Sequence, residues 1–183
     1  MDPVLTTDII ELLERHEGVR SYMYLDTVGV VTTGCGHAIF RSQDAVVLPF
    51  RRFKDNLLAT PQEIITSWSR LKYQTGIPKL QADKSLYLTE PDIESLIMKD
   101  LSRFQPIMDK TFPAFDSYPQ SVQLGLWDMV WQLGSFIHFP KFVAYVKLLD
   151  WAGAADQCFR PAASATRNAD TKQLFLDAIG QKN

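Results

Sequence analysis

Apolar positions recur at helical spacing through Ile9, Leu12, Leu13 and His16, with Thr7 or Asp8 available as N-cap and Asp8 and Glu11 making the first turn acidic. Gly18 suits the left-handed residue that closes a helix, so Glu17 is expected at a helix C-terminus. Beyond it the pattern turns strand-like: Tyr22, Tyr24 and Leu25, then Val28, Val30, Val31, Thr32 and Thr33. Asp26-Thr27-Val28-Gly29 between the two runs reads as a hairpin connection. Residues 38–58 keep little periodicity and read as a loop or short irregular segment, in which Arg51, Arg52 and Lys54 form a small, solvated basic run. Thr60-Pro61-Gln62-Glu63 is a capping box with proline at the first helical position; Ile64, Ile65, Trp68 and Leu71 continue that helix until Gly76-Ile77-Pro78. Thr89-Glu90-Pro91-Asp92 opens the next helix, expected over 90–105, with one stripe of Ile93, Leu96, Ile97, Leu101 and Phe104 ending before Pro106. Residues 117–134 carry the most apolar helix. Val122, Leu126, Met129, Val130 and Leu133 form a stripe while Leu124, Trp127 and Trp131 lie off it, so this helix is expected at the centre of a core. Two more helices are expected around 140–150 and 151–159.

Composition narrows the function classes. With 183 residues, 46% of them hydrophobic, the chain can bury a substantial core as one domain or two fused lobes. A formal net charge of −2 and a pI near 5.9 give no basic footprint for nucleic acid. No CxxC or His-rich cluster suggests a metal site, and no cofactor is expected. Cys35 and Cys158 allow one disulfide but provide no framework. The N-terminal Met-Asp-Pro-Val-Leu-Thr-Thr-Asp lacks a positive region followed by an apolar run, and no stretch approaches membrane-spanning length. The expectation is synthesis in the cytoplasm without a signal peptide, and no membrane span.

The chemistry concentrates between Glu17 and His37. Hydrolysis of a glycosidic bond needs one carboxyl to protonate the leaving oxygen and a second carboxylate, here with a hydroxyl, to position water on the opposite face of the sugar. Glu17 at a helix C-terminus meets the negative end of the helix dipole, which favours its protonated form and suits a general acid. Asp26 in a turn is either a turn former bonding its own backbone or a solvated carboxylate partner for Glu17. Thr32 and Thr33 point to opposite faces of a strand, and the sequence does not choose between them. Gly34 and Gly36 permit close approach of backbone or sugar. Arg20 is an ion-pair partner or a surface charge, and Cys35 reads as a small buried hydrophobe.

Glu17, Gly18, Arg20, Asp26, Thr32, Gly34, Gly36 and His37 together resemble, position by position, the active-site segment of the phage-type lysozymes, glycoside hydrolase family 24. That resemblance implies an α+β, lysozyme-like domain over residues 1–183. It would have a small N-terminal lobe with a β-hairpin (1–89), a larger all-helical lobe (90–183), a cleft between them, and the helix at 90–105 as the link. It implies Glu17 as acid, Asp26 and Thr32 as the pair holding the attacking water, and inversion at the anomeric carbon. Gly36 and His37 would line the substrate site, His37 pairing with a carboxylate. Asp128-Met-Val-Trp131-Gln132-Leu-Gly134 is similar to a family segment in which the aromatic and the amide contact sugars, though Trp131 reads equally as core. Arg167…Leu-Phe175 resembles the C-terminal element whose arginine pairs with the catalytic glutamate, a cation that would oppose the rise in Glu17 pKa.

The implied substrate is the glycan strand of peptidoglycan, and the implied activity that of a muramidase acting in the periplasm or cell wall. Delivery would be through a holin at lysis or, on the acidic pI and the extended 38–88 region, by secretion as an antibacterial effector with an immunity or inhibitor protein as partner. The alternatives are an inactive lysozyme-like structural or binding module and a chitinase-like glycosidase of the same fold.

Overall fold

A computed structural model describes residues 3–73 and 81–180. Helix and sheet are mixed, with eight α-helices and a small antiparallel sheet among the described residues. The chain divides into two units, one of Glu17–Asp100 and one of Met1–His16 with Leu101–Asn183.

Helix α1 (Pro3–Glu17) begins a turn earlier than its apolar pattern indicates. Pro3 brings a φ already set for a first helical turn. Thr7 is therefore not a cap: it lies within the helix and its hydroxyl donates back to the Pro3 carbonyl at 3.2 Å. Leu5, Ile9, Leu12 and Leu13 are the buried stripe. Gly18, at φ +70°, follows as the left-handed stop.

The Glu17–Asp100 unit contains β1 (Arg20–Leu25), β2 (Val31–Gly34), β3 (His37–Ile39), α2 (Ser42–Val46), β4 (Arg51–Arg52), α3 (Pro61–Lys72), β5 (Ala82–Asp83), β6 (Leu86–Tyr87) and the start of α4 (Glu90–Thr111). The main sheet runs β3-β2-β1-β5, and β4 pairs separately with β6. Val28 and Val30 belong to the turn rather than to β2, and Val28 is 82% exposed. The 38–58 segment is not a plain loop, since parts of β3, α2 and β4 lie in it. Pieces this short leave no periodicity to read, and they form because partners elsewhere accept their hydrogen bonds. The solvated reading of the basic run fails for Arg51 and Arg52, half-buried residues that pair with Tyr87 and Leu86 in the β4–β6 ladder.

Helix α3 is capped as its sequence indicates, Glu63 N donating to Thr60 Oγ1 and Thr60 N to Glu63 Oε2. Its inner face carries Ile64, Trp68 and Leu71, with Trp68 Nε1 donating to the Ile39 carbonyl at 3.0 Å. The expected stop at Gly76-Ile77-Pro78 lies outside the described residues. Helix α4 does not end before Pro106 but runs through it to Thr111. Proline removes one ladder hydrogen bond. Met108 and Phe112 beyond it are fully buried, and their burial holds the last turn in place.

The remaining unit packs the end of α4 with α5 (Gln120–Leu133), α6 (Pro140–Lys147), α7 (Trp151–Gln157) and α8 (Ala165–Leu176). As expected from its composition, α5 is central: Val122 and every residue from Gly125 to Val130 are buried. Gly125 allows α8 to approach closely, for a Cβ there would lie 2.9 Å from the Phe175 ring. Both cysteines are buried and neither is in a disulfide, and burial raises the Cys158 pKa. Among the described residues no helix is long and apolar enough to cross a membrane.

Candidate active site

Glu17 is the exposed last residue of α1, immediately before the chain turns at Gly18 into β1. Asp26 closes β1, and its side chain builds the following turn. Oδ1 accepts from Val28 N at 3.0 Å and from Val30 N at 2.7 Å. The Asp26 backbone N–H in turn donates to the Val30 carbonyl at 2.9 Å. Thr32 Oγ1 donates to the same Val30 carbonyl at 3.2 Å. One peptide unit therefore holds both Asp26 and Thr32. Among the described residues, Asp26 Oδ2 and the lone pairs of Thr32 Oγ1 are left as acceptors for the protons of a water.

Thr33 is also buried, but its hydroxyl donates to the Tyr22 carbonyl at 3.3 Å, so the two threonines serve different backbone partners. Thr32 stands opposite Tyr24 in the β1–β2 register, next to an irregularity between Arg20 and Tyr24. The Arg20 guanidinium lies over the Tyr24 ring, 4.2 Å from its centroid. Burial raises the pKa of the Tyr24 phenol; Arg20 opposes that, and the charges of Glu17 and Asp26 add to it. Tyr24 therefore lies within the fields of both candidate carboxylates. Sequence reasoning gave it no role, although an aromatic two residues before Asp26, on the strand that leads to it, was the available signal.

Further along the hairpin, Gly34 and Gly36 both hold positive φ, at +59° and +82°. A Cβ on Gly34 would meet Leu96 and Ile93 at ordinary contact distances of 3.6 and 3.7 Å, so its positive φ rather than crowding favours glycine there, and Gly36 is exposed. His37 Nδ1 lies 2.6 Å from Asp100 Oδ2, so its ring has a carboxylate partner. That bond fixes the ring against α4.

Trp131, Gln132 and Arg167 belong to the other unit. Trp131 is half-buried, edge-on to Phe104 at 6.0 Å. The side-chain carbonyl oxygen of Gln132 is buried and accepts no hydrogen bond from the described residues. Arg167 is buried, its Nε donating to Asp128 Oδ1 at 2.9 Å.

Asp128, at 0% exposure in the middle of α5, is the hub of a network that sequence reasoning did not assign. Arg160 Nη2 donates to its Oδ2 at 2.6 Å, as does the Thr171 hydroxyl at 2.6 Å. His16 Nδ1 lies 2.9 Å from its Oδ1, and His16 Nε2 lies 3.1 Å from Asp170 Oδ2. Burial by itself would raise the Asp128 pKa; the His16 hydrogen bond, Arg160, Arg167 and Thr171 outweigh it and hold the carboxyl well below the usual range. The signal was an aspartate inside a helix apolar nearly all round, which demands partners. His16, grouped with the apolar stripe by its spacing, is buried as a polar bridge instead.

No cluster of three or more His, Cys, Asp or Glu side chains suited to a metal occurs among the described residues. No protein-family model matches the sequence, and no curated protein matches it.

Proposed function

We propose that this chain is a glycoside hydrolase of the phage-type lysozyme kind, a muramidase cleaving the β-1,4 bond between N-acetylmuramic acid and N-acetylglucosamine in peptidoglycan. The observation that carries this reading is the attachment of Asp26 and Thr32 to one peptide carbonyl, that of Val30, beside a tyrosine that feels both Glu17 and Asp26. Glu17 donates its proton to the glycosidic oxygen as the C1–O bond breaks. A water held by Asp26 and Thr32 attacks C1 from the opposite face, and its proton passes to Asp26. The product anomer is inverted. Acting on the wall, the enzyme serves bacterial lysis or antibacterial attack, and an immunity protein that occludes Glu17 would protect a producing cell.

A turbidity assay on peptidoglycan and on chitin tests the activity and the glycan together. The expected result is clearing of peptidoglycan by the wild type, none by a folded Glu17→Gln variant, and little action on chitin. Undiminished clearing by Glu17→Gln would overturn the assignment; absence of activity in the wild type would make the chain a binding module. Expression in bacteria with and without an added periplasmic export signal tests the target, lysis being expected only on export.

A further inference from the structure

The chain as a whole is slightly acidic, with 19 Lys and Arg against 21 Asp and Glu, yet one cavity of about 490 Å³ in the Glu17–Asp100 unit is lined by four cations and a single carboxylate. The cations are Arg52, Lys54, Arg70 and Lys84. The carboxylate, Glu63, is already engaged by the Thr60 cap and by Arg52. Two more acids adjoin the cavity: Asp55, which pairs with Arg52 at 3.0 Å, and Asp83, which accepts from Ser85 and lies 3.8 Å from Arg70. Lys54 and Lys84 form no ion pair with the described residues. Phe53 and Leu86 supply apolar wall.

Ser67 also lines the cavity. It is 2% exposed, and its hydroxyl has no hydrogen-bond partner among the described residues. A buried hydroxyl without a partner is uncommon and points to a polar group supplied from outside. The volume lies in the range of small-ligand sites. Cations in the lining, a buried hydroxyl that no described residue bonds and apolar wall together fit a short peptide bearing free carboxylates and small aliphatic side chains.

Position relates this cavity to the hairpin. Lys84 follows β5, which pairs with β1 at Tyr24↔Ala82 and Met23↔Asp83, and its ammonium lies 5.1 Å from the centroid of the Tyr22 ring. Lys84, which lines the cavity, thus also reaches a side chain of the strand that carries Tyr24 and leads to Asp26. We infer that this cavity binds the acidic stem peptide of peptidoglycan, an inference that rests on the muramidase reading for the identity of the peptide. Binding there would bring a stem-bearing strand to the enzyme through contacts separate from those at the scissile bond.

The test uses the full chain, the soluble tetrapeptide stem as probe, and a Lys54→Glu/Lys84→Glu variant, whose altered residues form no ion pair among the described residues. An NMR titration of the wild type should shift the amides of Ser67, Arg70 and Leu86, and the variant should bind at least tenfold more weakly. On intact peptidoglycan the variant's KM should rise at least threefold with kcat unchanged, while glycan strands stripped of stems should be cleaved equally by both proteins. Shifts mapping elsewhere, equal peptide affinity in the variant, or equally tight binding of inorganic phosphate would overturn the inference. Peptide binding without glycan cleavage would support the cavity and sink the muramidase reading; cleavage without peptide binding would do the reverse.

Discussion

Asp26 and Thr32 meet at one atom: the Val30 carbonyl oxygen accepts the Asp26 N–H at 2.9 Å and the Thr32 hydroxyl at 3.2 Å. Because the Val30 N–H also donates to Asp26 Oδ1, the aspartate is fixed at both its backbone and its side chain. The carboxylate and the hydroxyl are both tied to the backbone of Val30, the one through its N–H and the other through its carbonyl, which keeps their separation as the hairpin moves. Such rigidity is what positioning a single water requires.

Thr32 separates shape from chemistry. Thr32→Val keeps the branched shape in a buried site but removes the hydroxyl, and should lower kcat about 100-fold, the scale of a lost acid–base or water-positioning group. Thr32→Ser should retain most of the activity. Equal turnover by the valine variant in a wall-hydrolysis assay would remove Thr32 from the mechanism.

Asp26 has two functions that different substitutions distinguish. Asn offers the same Oδ1 acceptor to Val28 and Val30, so Asp26→Asn should leave Tm nearly unchanged while activity collapses. Asp26→Ala should lose activity and also about 1–2 kcal/mol of stability through the missing hydrogen bonds. Early-time NMR of the wild-type reaction should show the α-anomer first. A β-product would mean that Asp26 acts as a nucleophile.

Asp128 should dominate the acid stability of its unit. Asp128→Asn removes the charge facing Arg160 and Arg167, at a cost of about 3–5 kcal/mol for a broken buried ion pair. Its folded pKa is depressed, so its contribution is fully present above the unfolded aspartate value of about 3.9 and disappears as pH falls through the lower folded value. Urea unfolding should show a constant gap between wild type and variant from pH 7 to pH 5, narrowing only below about pH 4. A gap that closes already at pH 6 would mean that another group carries the effect.

Gly125 tests the α5–α8 contact. In an exposed helix Gly→Ala would stabilise by about 1 kcal/mol. Here the new methyl meets the fully buried Phe175 ring at 2.9 Å, and overpacking of this kind costs about 1–3 kcal/mol. Gly125→Ala should therefore lower Tm, and adding Phe175→Leu should recover part of the loss. A raised Tm in the single variant would show that the ring yields freely.

Much of this protein is written in local sequence. The stripes of α1, α3 and α5, the Thr60–Glu63 cap, the Gly18 stop and the Asp26 turn depend on residues within a turn or two of one another, and spacing alone reveals them. The run from Glu17 to His37 likewise displays its candidate chemistry as a linear pattern. Tertiary structure decided the rest. Thr32 and Thr33 also part by the carbonyl each hydroxyl reaches, that of Val30 two residues back for Thr32 and, through the strand pairing, that of Tyr22 for Thr33. Asp128 draws His16, Arg160, Arg167 and Thr171 from three other parts of the chain, and His37 finds Asp100 across 63 residues. The short elements within 38–58 and the cationic cavity above Ser67 also arise from pairing and burial. Periodicity records which side a residue faces; the partner it finds there is set by desolvation, which makes every buried charge and hydroxyl seek whatever the fold brings within reach.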